Sequence, residues 1–482
     1  MSCTTILVGK KASFDGSTIV ARNDDGGFES KGTIVIERNK APKIYKSVIS
    51  KVTIELPDFS YRYTSHQNIS KHRGLWPAGG INEFNVGMNA TETISSNPLV
   101  EGGDPLLTLP KSKGKKGPGG IGEEDLVALV LPYIKSAREG VIRLGELLEK
   151  YGTYERNGLA FNDENEVWWL ETIGGHHFVA RRVPDDRVVI MPNQFGLDNF
   201  DFDDAYGKQE NCICSKDLKD FVKNNNLDLH LKGDFNPRLA FGSQSDQDHI
   251  YNTPRAWYLL KYFCPNSYKY EGDNADFSPI SDNIPWSFVP EHKVTLQEIK
   301  YILSSYYQGT RYNPYGNGEG RGKYRSIGVP NTDVCSIQQI RNGVAKEIQG
   351  VEWCSFGGGA FTCCFPIYTN VSKTPDFLGK ASKTVTTNNI YWQSRLIAAL
   401  TDAHFDKAVM VTERYQLAVF CKSYEILKKY DDKFNKEKDL KLLEEANKEI
   451  IDMVKKQSEK TLSDVLLIAS TSMKTRFNRK DN

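Results

Sequence analysis

The order of local patterns along the chain predicts an α+β protein, layered α/β/β/α, with a helical C-terminal region. Three observations carry this. Strand patterns open the chain, helical patterns follow, strands return, and helices close it. A length of 482 residues is enough to bury a large core. The composition, 39% hydrophobic and 26% charged, is that of a soluble globular protein. Residues 1–386 read as a strand-rich core with insertions, and residues 387–482 as a mainly helical region packed on it.

Thr4 to Val8 is a β-branched, apolar run, Asp15-Gly16 is a turn signal, and Ser17 to Ala21 resumes the strand pattern. Gly32 to Glu37, Lys51 to Leu56 and a stretch within Gly79 to Thr93 are further strands. Residues 100–120 read as a loop, and its Lys-Gly part at 111–120 is a candidate lid. Glu123, Glu124 and Asp125 suit the positive end of the helix that follows, in which Leu126, Leu129, Val130 and Ile134 share a face. Gly140 is expected to break this helix, with a second one running from Val141 to Lys150 and stopping at Gly152. GLAFND, EVWWLETI, HHFVARRV and DDRVVIMPNQF then read as an antiparallel meander, and residues 200–330 are mixed. Ser336 to Arg341 and Val351 to Cys364 return to strand. From Asn388 the pattern is helical, and Leu443, Ala446, Ile450 and Val454 form an apolar stripe in a Lys- and Glu-rich stretch. A solvated surface helix pair explains the charge; a contact between copies of the chain, a homo-oligomer, is the sharper reading.

Several function classes fall away on charge and hydropathy. Lys+Arg number 62 and Asp+Glu 61, a net charge of +1, so a nucleic acid is not expected as the main partner. The longest apolar runs, Leu126 to Leu131 and Val465 to Ile468, fall far short of the roughly 20 residues a bilayer needs. The N-terminus lacks the basic stretch and long apolar segment of a signal peptide. A cytoplasmic protein without membrane contact is expected, with most of its nine cysteines as free thiols.

One cysteine stands apart by position. Loss of Met1 and Ser2 would make Cys3 the first residue and place its thiol beside its own α-amine. Such an amine titrates at about 7.7–8.0, close enough to neutrality to act as a general base. Nucleophile and base would then sit on one residue, the cysteine counterpart of the threonine–amine pair, and no catalytic histidine is needed. If the two strands after Cys3 pair across the Asp15-Gly16 turn, their far ends meet. Arg22 and Asp25 then return to the side of Cys3, where Arg22 would stabilise a thiolate and Asp25 would hold the α-amine.

The segment CTTILVGKKASFDGSTIVARNDD resembles the start of the dipeptidase A family of cysteine N-terminal-nucleophile (Ntn) hydrolases. More distantly it resembles the choloylglycine hydrolase and penicillin V acylase group. The matching residues are Cys3, Asp15, Gly16, Arg22, Asn23 and Asp25. The resemblance implies an αββα sandwich with the nucleophile at the end of a central strand. It implies hydrolysis of dipeptides without a metal or other cofactor. It further implies that Asn89, in GMNATET, lies near the scissile carbonyl, that Asn193, in MPNQF, helps form the oxyanion hole, and that Arg255, in YNTPRAW, is a second arginine near the nucleophile. Read without the resemblance, Asn89 and Asn193 also fit turn or strand-end positions, and Arg255 a structural ion pair. The chain departs from the wider acylase group in carrying Ser2 between Met1 and Cys3, so two residues must leave.

Other motifs carry less. His176-His177 is placed in a strand turn, where adjacent side chains point to opposite faces and do not share a metal. Cys212-Ile213-Cys214 and Cys363-Cys364 have poor zinc spacings, and the 316–322 glycine loop neither follows a clear strand nor opens a helix. The expected activity is that of a cysteine dipeptidase acting on small peptides. An N-acyl amide hydrolase of the same fold and a non-enzymatic interaction protein of the secernin type are the alternatives.

Overall fold

The structure, a computed structural model, describes residues 3–69, 74–110 and 117–475. Met1, Ser2 and residues 111–116 of the candidate lid lie outside the described residues. In chain order the strands are β1 (Thr4–Val8), β2 (Thr18–Asp25), β3 (Lys31–Ile36), β4 (Ile44–Lys46), β5 (Thr53–Glu55) and β6 (Tyr63–Asn68). They continue with β7 (Gly79–Ile81), β8 (Gly87–Thr93), β9 (Asn157–Asn162), β10 (Val167–Thr172), β11 (Phe178–Val183) and β12 (Val188–Met191). The last are β13 (Cys212–Cys214), β14 (Ser287–Phe288), β15 (Thr332–Ile340), β16 (Gly350–Phe356) and β17 (Phe365–Tyr368). A seven-stranded sheet has the order β14-β12-β1-β2-β15-β16-β17, and a six-stranded sheet the order β13-β11-β10-β9-β8-β7. Their pairings are antiparallel. The fold class is therefore α+β with antiparallel sheets and a helical C-terminal region.

Alternation along the strands sorts side chains between interiors. Leu7 and Val20 of the first sheet join Ala160, Trp169 and Val179 of the second in a core between the sheets. Ile6, Val8, Ile19 and Ala21 point the other way, into a core completed by the helices Thr253–Phe263, Leu296–Leu303, Phe405–Glu437 and Lys441–Thr471. The second sheet buries Met88, Phe161, Leu170 and Phe178 against helices Leu126–Val130 and Ala137–Tyr151. Central strands are thus apolar on both faces. The stripe Leu443, Ala446, Ile450 and Val454 is buried in the protein's own first-sheet core. Asn447 on that helix accepts from Tyr368 N at 2.8 Å and donates to Tyr368 O at 2.9 Å, pinning edge strand β17.

Several elements differ from the sequence expectation, among them the strand read over Val351 to Cys364, which ends at Phe356 where Gly357 and Gly358 turn at φ 60° and 89°. Pro98–Gly103 is a helix, because Asn97 accepts from the amides of Leu99 and Val100 and Pro98 supplies a ready-made first-turn φ. The helical break falls at 131–136, not at Gly140. Pro132 cannot continue an α-helix, and Ser136 caps the next one by accepting from Glu139 N at 3.1 Å. Gly140 sits inside that helix, since a Cβ there would lie 2.5 Å from Phe161 Cδ1. The meander of β9, β10 and β11 forms, but β12 leaves it for the first sheet, where Met191 pairs with Thr5. This switch brings the loop after β12 beside the start of β1. No helix of the described residues is long and apolar enough to cross a membrane.

Candidate active site

The antiparallel hairpin of β1 and β2 sets Thr4 opposite Asn23 and Thr5 opposite Arg22. Cys3, Thr5 and Arg22 therefore project from the same face, toward the second sheet. Arg22, with its side chain buried, donates from Nη2 to Cys3 Sγ at 2.9 Å and to Asp24 Oδ1 at 3.1 Å, and lies 3.5 Å from Glu123 Oε1. Its Nη1 donates to Ala78 O at 3.2 Å. Asp24, two residues along the same face, also pairs with Lys31 at 3.0 Å. Burial alone would raise the Asp24 carboxyl, but Lys31 and Arg22 hold it below its usual range. Cys3 is 3% exposed, and burial pushes its thiol up to about 12, against the pull of Arg22 and with the push of Asp24, Glu92 and Asp25.

Asp25 leaves β2 on the opposite face. Its carboxylate accepts from Thr332 Oγ1 at 2.6 Å and from Arg325, and its charge reaches Cys3 only as the last of four electrostatic influences on the thiol. Arg255 comes from the first turn of helix Thr253–Phe263 and is fully buried. It donates to the carbonyl of Cys3, to Thr4 Oγ1 at 2.7 Å, to Pro192 O and Asn193 Oδ1, both at 2.8 Å, and to Asn252 Oδ1 at 2.9 Å. Arg255 thus fixes the backbone of Cys3 to the loop after β12, rather than touching the sulfur. Burial, together with the charge of Arg325, draws its pKa down to about 9, against the pull of Glu92.

Asn193 stands in that loop at φ 65°, a left-handed conformation that asparagine tolerates better than most residues. Its amide nitrogen Nδ2 donates to Thr93 O at 3.0 Å, and its backbone N–H donates to Glu92 Oε2 at 2.9 Å. Asn89 is 2% exposed, and neither end of its amide has a partner among the described residues. It projects inward from β8 next to Gly79, where a Cβ would come 2.8 Å from Asn89 Oδ1. The neighbouring Ala90 N–H donates to the same Ala78 carbonyl that Arg22 holds.

Glu92 escaped the sequence reading. A register shift between Ala90 and Glu92 turns its side chain inward, where strict alternation would have sent it outward with Met88 and Ala90. It accepts from Thr5 Oγ1 at 2.7 Å, and burial raises its carboxyl to about 7 despite Arg255 and Thr5. Its signal was the lone charged residue of β8, GMNATET. Asp24 and Arg325 were also missed. Glu123, read as a helix-end charge, lies beside Arg22 instead. His176 and His177 lie in the turn between β10 and β11, as expected, but instead of pointing to opposite faces both bring Nδ1 to Asp104, at 3.5 and 2.7 Å. Three metal-capable groups converge at His66, Glu352 and Cys354, deep in the core. There His66 Nε2 and Glu352 Oε1 are 2.8 Å apart as a hydrogen-bonded pair, and Ser336 donates to the same carboxylate oxygen at 2.6 Å.

Chemically, the site joins a thiol, a guanidinium at hydrogen-bonding distance, buried carboxylates and unsatisfied amide groups. These are parts suited to attack on a carbonyl and to holding the oxyanion that results. Comparison with known proteins places the chain in a class of peptidases. Residues 2–418 match peptidase family C69, and the chain belongs to that family. It is 43% identical to a dipeptidase of Bifidobacterium longum, with all of both chains covered. It is 44% identical to a probable dipeptidase A of Streptococcus pyogenes, covering 100% of this chain and 98% of the relative. It is 44% identical to dipeptidase A of Lactobacillus helveticus, over 84% of this chain and 82% of the relative.

Proposed function

We propose that the protein is a cytoplasmic cysteine dipeptidase whose nucleophile is Cys3, unmasked when the Ser2–Cys3 bond is cut. The observation that carries this is the 2.9 Å hydrogen bond from buried Arg22 to the sulfur of the third residue. The names of the relatives supply the substrate class. The stack of helices, two sheets and helices is read as the four-layer αββα sandwich of Ntn hydrolases, with residues 1–386 as the peptidase core and 387–482 packed on it.

In this reading the freed α-amine, with a pKa of about 7.7–8.0, takes the thiol proton. Arg22 and the new ammonium then offset the burial that otherwise keeps Cys3 protonated. The thiolate attacks the peptide carbonyl, and Asn89, with the second N–H of Asn193 Nδ2, stabilises the oxyanion. The ammonium returns its proton to the leaving amine. Water activated by the same amine hydrolyses the thioester, releasing the second amino acid. Arg255 is a positioning residue that locks Cys3 and Asn193 in register, whereas Asp25, held by Thr332 and Arg325 on the opposite face, sets the end of β2.

Cys3→Ser tests the reading. Its rate of amino-acid release from a dipeptide should fall by at least about a thousandfold. The unaltered enzyme, quenched in acid during turnover, should carry an acyl mass on the peptide that begins at Cys3. A Cys3→Ser protein within tenfold of the original rate, checked for folding by circular dichroism, would remove Cys3 from the chemistry.

A further inference from the structure

We propose that Glu92 is a positioning residue for the hydrolysis: its two carboxylate oxygens set the nucleophile strand against the loop that carries the oxyanion donor Asn193. This rests on the reading of Cys3 as nucleophile and of Asn193 as oxyanion donor. Glu92 Oε1 accepts from Thr5 Oγ1 at 2.7 Å, and Thr5 lies two residues from Cys3 on the same face of β1. Glu92 Oε2 accepts from the backbone N–H of Asn193 at 2.9 Å. The carbonyl of the next residue, Thr93, accepts from Asn193 Nδ2 at 3.0 Å. The end of β8 therefore holds Asn193 by its backbone and by its side-chain amide, and one carboxylate joins that hold to the strand of Cys3.

Asn193 needs such a hold. It stands at φ 65°, and a left-handed residue other than glycine persists only where its surroundings fix it. Arg255 secures Oδ1 and Thr93 secures Nδ2, so the bond to Glu92 is what orients the backbone. The bulge between Ala90 and Glu92 makes this possible, since without it Glu92 would follow Met88 and Ala90 into the apolar core behind the second sheet. Neither bond needs the negative charge, because both donors are neutral. Burial raises the carboxyl to about 7, yet a protonated acid keeps one oxygen for the Asn193 N–H and turns its hydroxyl to Thr5 Oγ1, which can accept. The charge itself works against catalysis. Arg255 and Arg22 pull on it, and it helps to push the Cys3 thiol up. The hold and the charge of Glu92 thus have opposite consequences, and a variant can separate them.

The test measures kcat and KM for L-Ala-L-Ala, and the rate of Cys3 alkylation by iodoacetamide, on the mature enzyme, Glu92→Ala and Glu92→Gln. Glu92→Ala removes both bonds. Its kcat should fall by more than about tenfold, toward the hundredfold that a displacement of about 1 Å costs, with KM within about threefold. Glu92→Gln keeps an oxygen for the Asn193 N–H and offers its amide to Thr5 Oγ1, so its kcat should stay within about fivefold of the original. Alkylation should be no slower in either variant, since both lose a charge that raises the Cys3 thiol. A loss of about tenfold or less in Glu92→Ala would overturn the proposal. So would a Glu92→Gln enzyme no better than Glu92→Ala, which would make the charge the source of the effect. Slower alkylation in step with the loss of kcat would overturn it too, by marking Glu92 as a general support of Cys3. In each of these cases the dipeptidase reading stands as long as alkylation of Cys3 abolishes hydrolysis by the original enzyme. An original enzyme that keeps its activity after Cys3 is fully alkylated would end that reading and this proposal with it. Should Glu92→Ala not fold, Thr5→Val removes the β1 arm alone. Its kcat should fall by at least about threefold with KM held, and a smaller change would overturn the proposal.

Discussion

Asn89 carries a cost that no partner among the described residues repays. A buried amide with neither end bonded is destabilising by about 1–3 kcal/mol for each unsatisfied group. A substrate oxygen that bonds its Nδ2 would relieve part of that cost at the moment of reaction. Asn89→Ala should therefore lower kcat by about a hundredfold or more, while the melting temperature stays level or rises. Steady-state kinetics and thermal unfolding on the same sample check both halves. A large loss of stability with kcat unchanged would show that Asn89 is structural. The site was partly legible at this scale. Cys3 and Arg22 could be paired from the sequence because one hairpin and a period of two bring them together. Arg255 and Asn193 were named, but their grip on the backbone of Cys3 depends on a helix and a loop far along the chain. Glu92 was hidden because a bulge reverses its face, and no alternation rule announces a bulge.

Among the elements, most strands up to β11 were legible from apolar runs and turns, but the short β4 and the polar β6, YTSHQN, were not. β12 was also seen as a strand, but not its change of sheet. Val188 and Ile190 face one core while Val189 and Met191 face the other. A strand apolar on both faces has no pattern to say which neighbour it joins. The same limit explains Gly140. As a local signal it breaks a helix, but contact with Phe161 decides otherwise. Ala at a helix interior ordinarily gains about 0.5–1 kcal/mol over Gly. Overpacking a close helix–strand contact costs about 1–3 kcal/mol. The second effect is larger, so Gly140→Ala should lower the denaturant midpoint with the slope unchanged. A rise in midpoint would mean that Phe161 has room to move.

At the scale of the whole molecule, the site is where separate parts of the chain end together. The start of β1, the end of β2, the bulge of β8 and the loop after β12 converge. Arg255 ties the first of these to the last, and Glu92 ties β8 to both. The C-terminal helices cover the outer face of the first sheet, and Asn447 closes its β17 edge with two hydrogen bonds to Tyr368. A rigid frame of this kind suits a nucleophile that must be held in place before its amine is released. The central claim is that the amine of Cys3 is the base. The most direct measurement is the intact mass and N-terminal sequence of the purified protein, before and after thiol alkylation, alongside its rate of dipeptide hydrolysis. The account predicts a mature chain that begins at Cys3 and loses hydrolysis when Cys3 alone is alkylated. A chain that keeps Ser2 and still hydrolyses dipeptides would contradict it.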